Sequence, residues 1–284
     1  MEIIESIDRM RVWSERERRA GGRIALVPTM GFLHEGHLRL VRDARRRGDR
    51  LVVSIFVNPK QFSPAEDYAG YPRDLERDRK LLGREGVDAL FCPAAAEMYP
   101  EGYQSYVEVT ELSAPLCGRA RPGHFRGVAT VVTKLFNIVR PHVAVFGEKD
   151  FQQLQIVRRL VRDLNFDIEI VGHPTVRDED GLALSSRNSY LDENERRAAL
   201  CLHRALELAG VLVRRGERNG ESLLAAVRSE IAREPRARLD YAELCDPETL
   251  QPVGEVNGAA LLALAVWIGK ARLIDNVILR RGER

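Results

Sequence analysis

His34 and His37 stand three residues apart in the stretch Pro28-Thr29-Met30-Gly31-Phe32-Leu33-His34-Glu35-Gly36-His37, directly after the apolar run Ile24–Val27. Imidazoles at i and i+3 share one face of a helical first turn. A strand that ends in a glycine-bearing turn and opens a helix leaves backbone N–H groups unpaired. It also points the helix's positive end into the turn, which suits an anion. Two imidazole donors there would meet phosphate oxygens as charge builds on them. The segment therefore reads first as a nucleotide-phosphate site. The plainer readings are capping or surface histidines, or a metal site. Against a metal, no third ligand is visible and nothing resembles HExxH.

Further polar clusters recur along the chain. Asn58 and Gln61 sit in a loop opened by Pro59, and their amides suit a substrate with hydroxyl and carboxylate groups. Amides in such loops also serve simply to form the turn. Gly147-Glu148-Lys149-Asp150 puts a flexible cation between a strand and a helix, where lysine meets phosphates as a point charge. Asp150 would cap the following helix or bind ribose hydroxyls. Gln152 and Gln153 point about 100° apart, so at most one faces a cleft. Arg121 and Arg126 read as anion contacts, and His124 between them reads as a structural hydrogen-bonding residue. Gly181-Leu182-Ala183-Leu184-Ser185-Ser186-Arg187-Asn188 joins two hydroxyls to a guanidinium. It reads either as a loop over a triphosphate, with Arg187 steadying a leaving pyrophosphate, or as a serine-rich helix entry. No Ser–His–Asp or Cys–His nucleophile stands out. The chemistry reads as positioning plus charge stabilisation. Mg2+ bridging phosphates is expected and would need few protein ligands.

These residues need elements to place them. Strand-like runs at Ile24–Val27, Leu51–Val57, Val87–Phe91, Val143–Phe146 and Ile168–Val171 alternate with helix-like segments near His37–Arg47, Pro72–Gly86, Phe125–Val139 and Asp150–Asn165. Continuous apolar runs mean strands covered on both faces, hence βαβ units and a parallel sheet. In such sheets ligands sit beyond the carboxyl ends of the strands. Each polar cluster after a strand, at His34/His37, Asn58–Phe62, Gly147–Asp150 and Pro174–Arg187, falls at that edge and would converge on one cleft. After about residue 175 the texture changes. Helices at Asp192–Arg215 and Gly220–Arg233 precede strands at Leu239–Leu244, Ala259–Trp267 and Leu273–Leu279. The expected fold is α/β: a Rossmann-like parallel-sheet nucleotide-binding domain over residues 1–175, then a smaller α+β domain over 176–284 that closes over the bound nucleotide. Asp178-Glu179-Asp180-Gly181 reads as a hinge or mobile loop. Arg16–Arg19 and Arg45–Arg47 read as solvated helix faces.

Composition narrows the classes. The 284 residues carry 44 basic and 42 acidic side chains, a formal charge of +2, with 44% hydrophobic and 30% charged residues. That balance speaks against a dedicated nucleic-acid binder. Cys92, Cys117, Cys201 and Cys245 show no CxxC spacing, so they read as buried apolar thiols in a reducing compartment. The N-terminus lacks a signal-peptide core, and no run approaches the ~18 apolar residues of a membrane span. A soluble cytoplasmic protein is expected.

In order and together, Pro28–His37, Ser54–Phe62, Arg121–Arg140, Phe146–Gln153, Pro174–Leu191 and Ala271-Arg272-Leu273-Ile274-Asp275-Asn276 resemble the pantothenate synthetase (pantoate–β-alanine ligase) family. That family belongs to the wider HxGH group of nucleotidylyltransferases and class I aminoacyl-tRNA synthetases. The resemblance implies a carbon–nitrogen ligase that forms pantoyl adenylate and pyrophosphate from ATP and (R)-pantoate, then pantothenate and AMP on attack by β-alanine. It places ATP on Met30, Gly31, Phe32, Leu33, His34, Glu35, Gly36 and His37, on Gly147, Glu148, Lys149 and Asp150, and on Val176, Leu184, Ser185, Ser186 and Arg187. His37 matches the proton-donor position; His34, Lys149, Ser185, Ser186 and Arg187 would hold phosphates. Gln61 and Gln153 would bind pantoate, with Gln61 also near β-alanine, Asn58 beside them and Arg121 near the cleft. No residue is expected to hold a metal by itself, and a homodimer is implied. Lys60 departs from the family's usual Met. The rival readings are a nucleotidylyltransferase with another acceptor and an RNA-binding relative of the tRNA synthetases. The Gln61/Gln153 pair opposes the first, and the charge balance opposes the second.

Overall fold

The computed structural model describes residues 1–63 and 68–282. Contacts divide the chain into two compact units. The first comprises residues 1–113, 121–148 and 153–174; the second comprises 114–120, 149–152 and 175 onward.

The first unit holds six parallel strands: β1 (Glu2–Ile4), β2 (Ile24–Thr29), β3 (Arg50–Ile55), β4 (Ala89–Phe91), β5 (Val143–Gly147) and β6 (Glu169–His173), in the order β1-β4-β3-β2-β5-β6. The connecting helices are α1 (Ile7–Arg19), α2 (Glu35–Arg45), α3 (Leu75–Arg84), the short turns α4 (Ala95–Met98) and α5 (Thr110–Ser113), then, after the turn α6 (Cys117–Ala120) that belongs to the second unit, α7 (His124–Val139) and α8 (Phe151–Asp163). Ile24–Val27, Leu51–Val53 and Val143–Val145 are fully buried, which is why these strands lack polar alternation. The order reverses at β2, whose neighbours are β3 and β5. In an open parallel sheet the ligand crevice lies beyond the carboxyl ends at such a point. β2 leads there into His34 and His37.

The second unit carries α9 (Glu193–Arg214) and α10 (Gly220–Ala232) with an antiparallel sheet of β7 (Ala237–Cys245), β8 (Ala259–Ile268) and β9 (Ala271–Arg280). Asp192 caps α9, accepting from Glu195 N–H at 2.8 Å while Glu195 accepts from Asp192 N–H at 3.0 Å. Such a capping box is worth about 1 kcal/mol. Leu202, Leu206, Leu262, Leu264 and Val266 share the core of this unit.

Asp178–Gly181 does not join the two units: the last passage of the chain from the first to the second is at 174/175. Asp178–Gly181 is a closed turn within the second unit, with Asp178 N–H on Leu182 O and Arg196 bound to both Asp178 and Asp180 at 2.7 Å. Nor are the arginines at and just past the end of α2 only solvated: Arg45 pairs with Asp88 at 2.6 Å and Arg47 with the buried Asp43 at 3.1 Å. β1 and most of α1 lie outside the elements read from sequence. Three residues are too short for a periodic signal, and the α1 stripe facing inward mixes Met10 and Trp13 with Ser14 and Glu17. All four cysteines are free thiols. Burial pushes Cys201 up to about 11 and Cys245 up to about 12, so both stay protonated at neutral pH. No helix among the described residues is long and apolar enough to cross a membrane.

Candidate active site

The first unit builds the HxGH turn. After β2 the chain reverses through Gly31 at φ +81° and Phe32 at φ +51°. Asp78 of α3, 1% exposed, reaches into this turn. Its Oδ2 accepts from Phe32 N–H at 2.7 Å and its Oδ1 from Leu33 N–H at 2.8 Å. Burial pushes the Asp78 carboxyl above its ordinary value, opposed by these two donors. A Cβ on residue 31 would lie 2.9 Å from Ile55 and 3.2 Å from the Asp78 carboxylate, so glycine serves both the positive φ and the close approach.

This corrects one expectation. The turn's own N–H groups at Phe32 and Leu33 are occupied by a carboxylate that lies 45 positions further on from Leu33. The donors left open are those of Glu35 and Gly36, the first two residues of α2, for which no described residue acts as acceptor. His34 is the N-cap residue, and its carbonyl accepts from His37 N–H at 2.8 Å and Leu38 N–H at 3.2 Å. His37 Nδ1 accepts from His34 N–H at 3.3 Å, and the two rings lie 4.0 Å apart. Accepting at Nδ1 puts the proton of a neutral His37 on Nε2, the donor a phosphate oxygen needs. The Glu35 carboxylate is engaged by Arg39 and Arg42 on the exposed face of α2. Only its backbone suits an anion.

The Asn58 loop is fastened to α7. Asn58, 1% exposed, donates through Nδ2 to Gly127 O and Gln61 Oε1, both at 3.0 Å, and accepts at Oδ1 from Lys60 N–H at 3.2 Å and Tyr99 O–H at 2.8 Å. Both hydrogens and both lone pairs of the amide are used, and one of those bonds holds Gln61. Gln61 Nε2 lies 3.1 Å from Met30 Sδ, which brings this loop beside the HxGH turn. The Gln61 carbonyl takes His124 Nδ1 at 2.8 Å and Arg121 at 3.4 Å, and His124 Nε2 faces Arg121 at 3.1 Å. One neutral tautomer, protonated on Nδ1, satisfies both contacts. His124 is thus the structural residue expected, and Arg121 braces the same carbonyl. Lys60 extends over Tyr99 and Tyr106 at 5.8 and 5.9 Å. Gln153, half-buried in the first turn of α8, also belongs to this unit, as do Gly147 and Glu148.

The second unit carries Lys149, Asp150, Val176, Leu184, Ser185, Ser186 and Arg187. Residues 148–150 form a 3-10 turn that runs into α8. Lys149 and Ser185 line one small pocket with Asn188 and Asp275. Asn276 Nδ2 donates to Lys149 O at 2.9 Å, and Asp275 Oδ1 takes Asn276 N–H at 2.8 Å. Asp275, 3% exposed, is gripped by both Arg177 nitrogens at 2.6 and 2.9 Å. Leu184 N–H donates to Val176 O at 3.0 Å; Ser185 Oγ caps the following turn by accepting from Arg187 N–H at 3.2 Å; Ser186 is buried. Of the two glutamines, Gln152 is structural. It accepts from Cys117 N–H at 3.0 Å and donates to Pro115 O at 2.8 Å. Asp78, Tyr99, Gly127, Arg177 and Asp275 escaped the sequence reading as site residues. Gly127, Arg177 and Asp275 sit in stretches that drew attention for other residues, whereas Asp78 and Tyr99 lie outside every motif.

Comparison with known proteins agrees along the whole chain. A sequence profile described as pantoate-beta-alanine ligase matches residues 2–278. The pantothenate synthetase of Syntrophobacter fumaroxidans is 59% identical over 280 residues, covering 99% of both chains. That of Moorella thermoacetica is 56% identical over 98% of this chain and 99% of its own. The crystal structure of the Thermus thermophilus pantothenate synthetase superposes with a TM-score of 0.93 at 49% identity, covering 98% of this chain and 99% of its own. The Francisella tularensis pantoate-beta-alanine ligase, complexed with beta-gamma ATP and β-alanine, gives 0.82 at 35% identity, covering 98% of this chain and 97% of its own. With a full-length profile match and relatives at this identity, the chain belongs to the pantoate–β-alanine ligase family.

Proposed function

We propose that this chain condenses (R)-pantoate with β-alanine at the expense of ATP, releasing AMP and pyrophosphate. In the first step a pantoate carboxylate oxygen bonds to the α-phosphorus, and the bond from that phosphorus to the β-phosphate oxygen breaks. In the second step the β-alanine amine bonds to the acyl carbon, the acyl–phosphate bond breaks, and the amine loses a proton. The observation that carries the reading is the open N-terminus of α2, braced by Asp78 and flanked by His34 and His37, in a chain that matches the family over its full length.

Met30 to His37, Gly147 to Asp150, Val176 and Leu184 to Arg187 receive ATP in this reading. The N–H groups of Glu35 and Gly36 and the His37 Nε2–H meet phosphate oxygens. Lys149, Ser185, Ser186 and Arg187 steady the departing pyrophosphate. Charge grows on those oxygens as the α-phosphorus is attacked, so donors placed there stabilise the transition state more than bound ATP. Gln61 and Gln153 hold pantoate, with Asn58 and Arg121 holding Gln61. Mg2+ comes with the nucleotide, where it neutralises phosphate charge. No group of three or more His, Cys, Asp or Glu among the described residues would cage it, and a cation held mainly by phosphates and water needs none. The enzyme works in the cytoplasm as a homodimer, with residues 1–175 binding ATP and pantoate and 176–284 supplying the remaining phosphate contacts.

The test is AMP and pyrophosphate formation with ATP, pantoate and β-alanine, each omitted in turn. Pyrophosphate release should require pantoate, and AMP release with pantothenate should require all three. Pyrophosphate release independent of pantoate would overturn the assignment.

A further inference from the structure

Tyr99 lies in none of the motifs. It follows α4 as its C-terminal cap, and its hydroxyl stands 2.8 Å from Asn58 Oδ1. The direction of that hydrogen bond is forced by backbone groups. Gly127 O only accepts, so the end of the Asn58 amide facing it is Nδ2; Lys60 N–H only donates, so the end facing it is Oδ1. Tyr99 therefore donates. The second Nδ2 hydrogen goes to Gln61, whose facing atom must be Oε1. The Gln61 NH2 is then at the other end of its amide, beside Met30 Sδ.

An unrestrained glutamine presents either end of its amide. This one is restrained three groups deep. The Tyr99 ring is itself held, with the ammonium groups of Lys60 and Lys134 each 5.8 Å from its centroid and the Tyr103 ring 4.9 Å away at 81°. Burial raises the Tyr99 phenol well above its ordinary value, so it remains a donor at working pH.

We propose that Tyr99 is a positioning residue for Gln61: it adds a third anchor to the Asn58 amide, whose sense Gly127 O and Lys60 N–H set, and so steadies the arrangement in which Gln61 presents N–H donors to an oxygen of the substrate. Building on the ligase reading, this assigns Gln61 to a carboxylate or hydroxyl oxygen of pantoate, or to the carboxylate end of β-alanine. Lys60 takes part by fixing the tyrosine ring from outside.

Tyr99→Phe keeps the ring and removes one hydrogen bond. Losing a single bond in a buried network predicts a rise of about tenfold in the KM for pantoate, with kcat within about threefold and the KM for ATP unchanged. Unfolding temperature is followed in parallel. The discriminating measurement is the same substitution in a Gln61→Ala background, where no amide is left to orient: there Tyr99→Phe should change kcat/KM for pantoate by less than about twofold. A general structural role for Tyr99 would persist in that background. An unchanged pantoate KM in the single variant, or an undiminished effect in the double variant, overturns the inference and leaves the ligase assignment standing. Failure of the unaltered chain to release pyrophosphate in response to pantoate overturns the ligase assignment instead.

Discussion

Replacing Gly127 with alanine tests how the site is built. Gly127 lies on α7 where that helix meets the 3-10 turn of residues 59–61. A Cβ there would stand 2.2 Å from Lys60 O, 2.5 Å from Lys60 C and 2.6 Å from Gln61 N. All three are backbone atoms, so no side-chain rotation relieves the clash. Contacts below 3.0 Å are essentially never seen for Cβ, so the turn must retreat from α7 by about 1 Å. The same retreat stretches the 3.0 Å bond from Asn58 to Gly127 O and carries the Gln61 backbone with it. Overpacking of this kind costs about 1–3 kcal/mol of stability, and a misplacement near 1 Å in a positioning group costs about 10²-fold in rate. Gly127→Ala should therefore remain folded with a Tm lower by several degrees while pantoate-dependent kcat/KM falls roughly a hundredfold. Circular dichroism melts and a pyrophosphate-release assay read the two quantities separately. An alanine variant that keeps its activity within about twofold would show that the α7 contact does not place Gln61.

Three further outcomes are expected. His37→Ala should lower kcat by about 10²–10³ with the far-UV spectrum unchanged, because one donor aimed at developing phosphate charge is removed; single-turnover pyrophosphate release measures this. Asp275→Asn leaves Arg177 without its buried partner. It should cost about 3 kcal/mol in urea unfolding, the low end for a broken buried pair since Arg177 keeps some solvent contact, and should raise the KM for ATP through Asn276 and Lys149. His142 accepts Ile24 N–H through Nδ1 at 2.9 Å, and burial holds its imidazole below the ordinary value of 6.5. A depressed histidine contributes stability that is complete above the unfolded value and lost as pH falls through the folded one. Stability should thus fall between pH 7 and pH 5, and His142→Gln should flatten that slope in denaturant titrations at each pH.

Much of this protein is legible one residue after another. Unbroken apolar runs such as Ile24–Val27 and Val143–Phe146 can only be strands buried on both faces, and the segments between them carry helical periodicity, so a parallel sheet follows. Function then collects at one edge, because the turns after those strands hold the histidines, the amides and the lysine. The six ordered motifs name the chemistry.

Partners distant in sequence are another matter. Asp78 belongs to no motif and lies within the helix-like segment Pro72–Gly86, yet it takes the N–H of Leu33, 45 positions away. Asn58 reads as a substrate amide, yet Gly127 O and Tyr99 O–H, 69 and 41 positions away, consume it. Gly127 has no side chain to read, yet a Cβ there would fall inside a neighbouring backbone. Local periodicity records which face of an element is buried, and by itself it established the sheet, the helices around it and the loops that bear the chemistry. Which acceptor each donor meets depends on how those elements pack, and that pairing, set only by the tertiary structure, orients Gln61 and leaves Glu35 and Gly36 open for an anion.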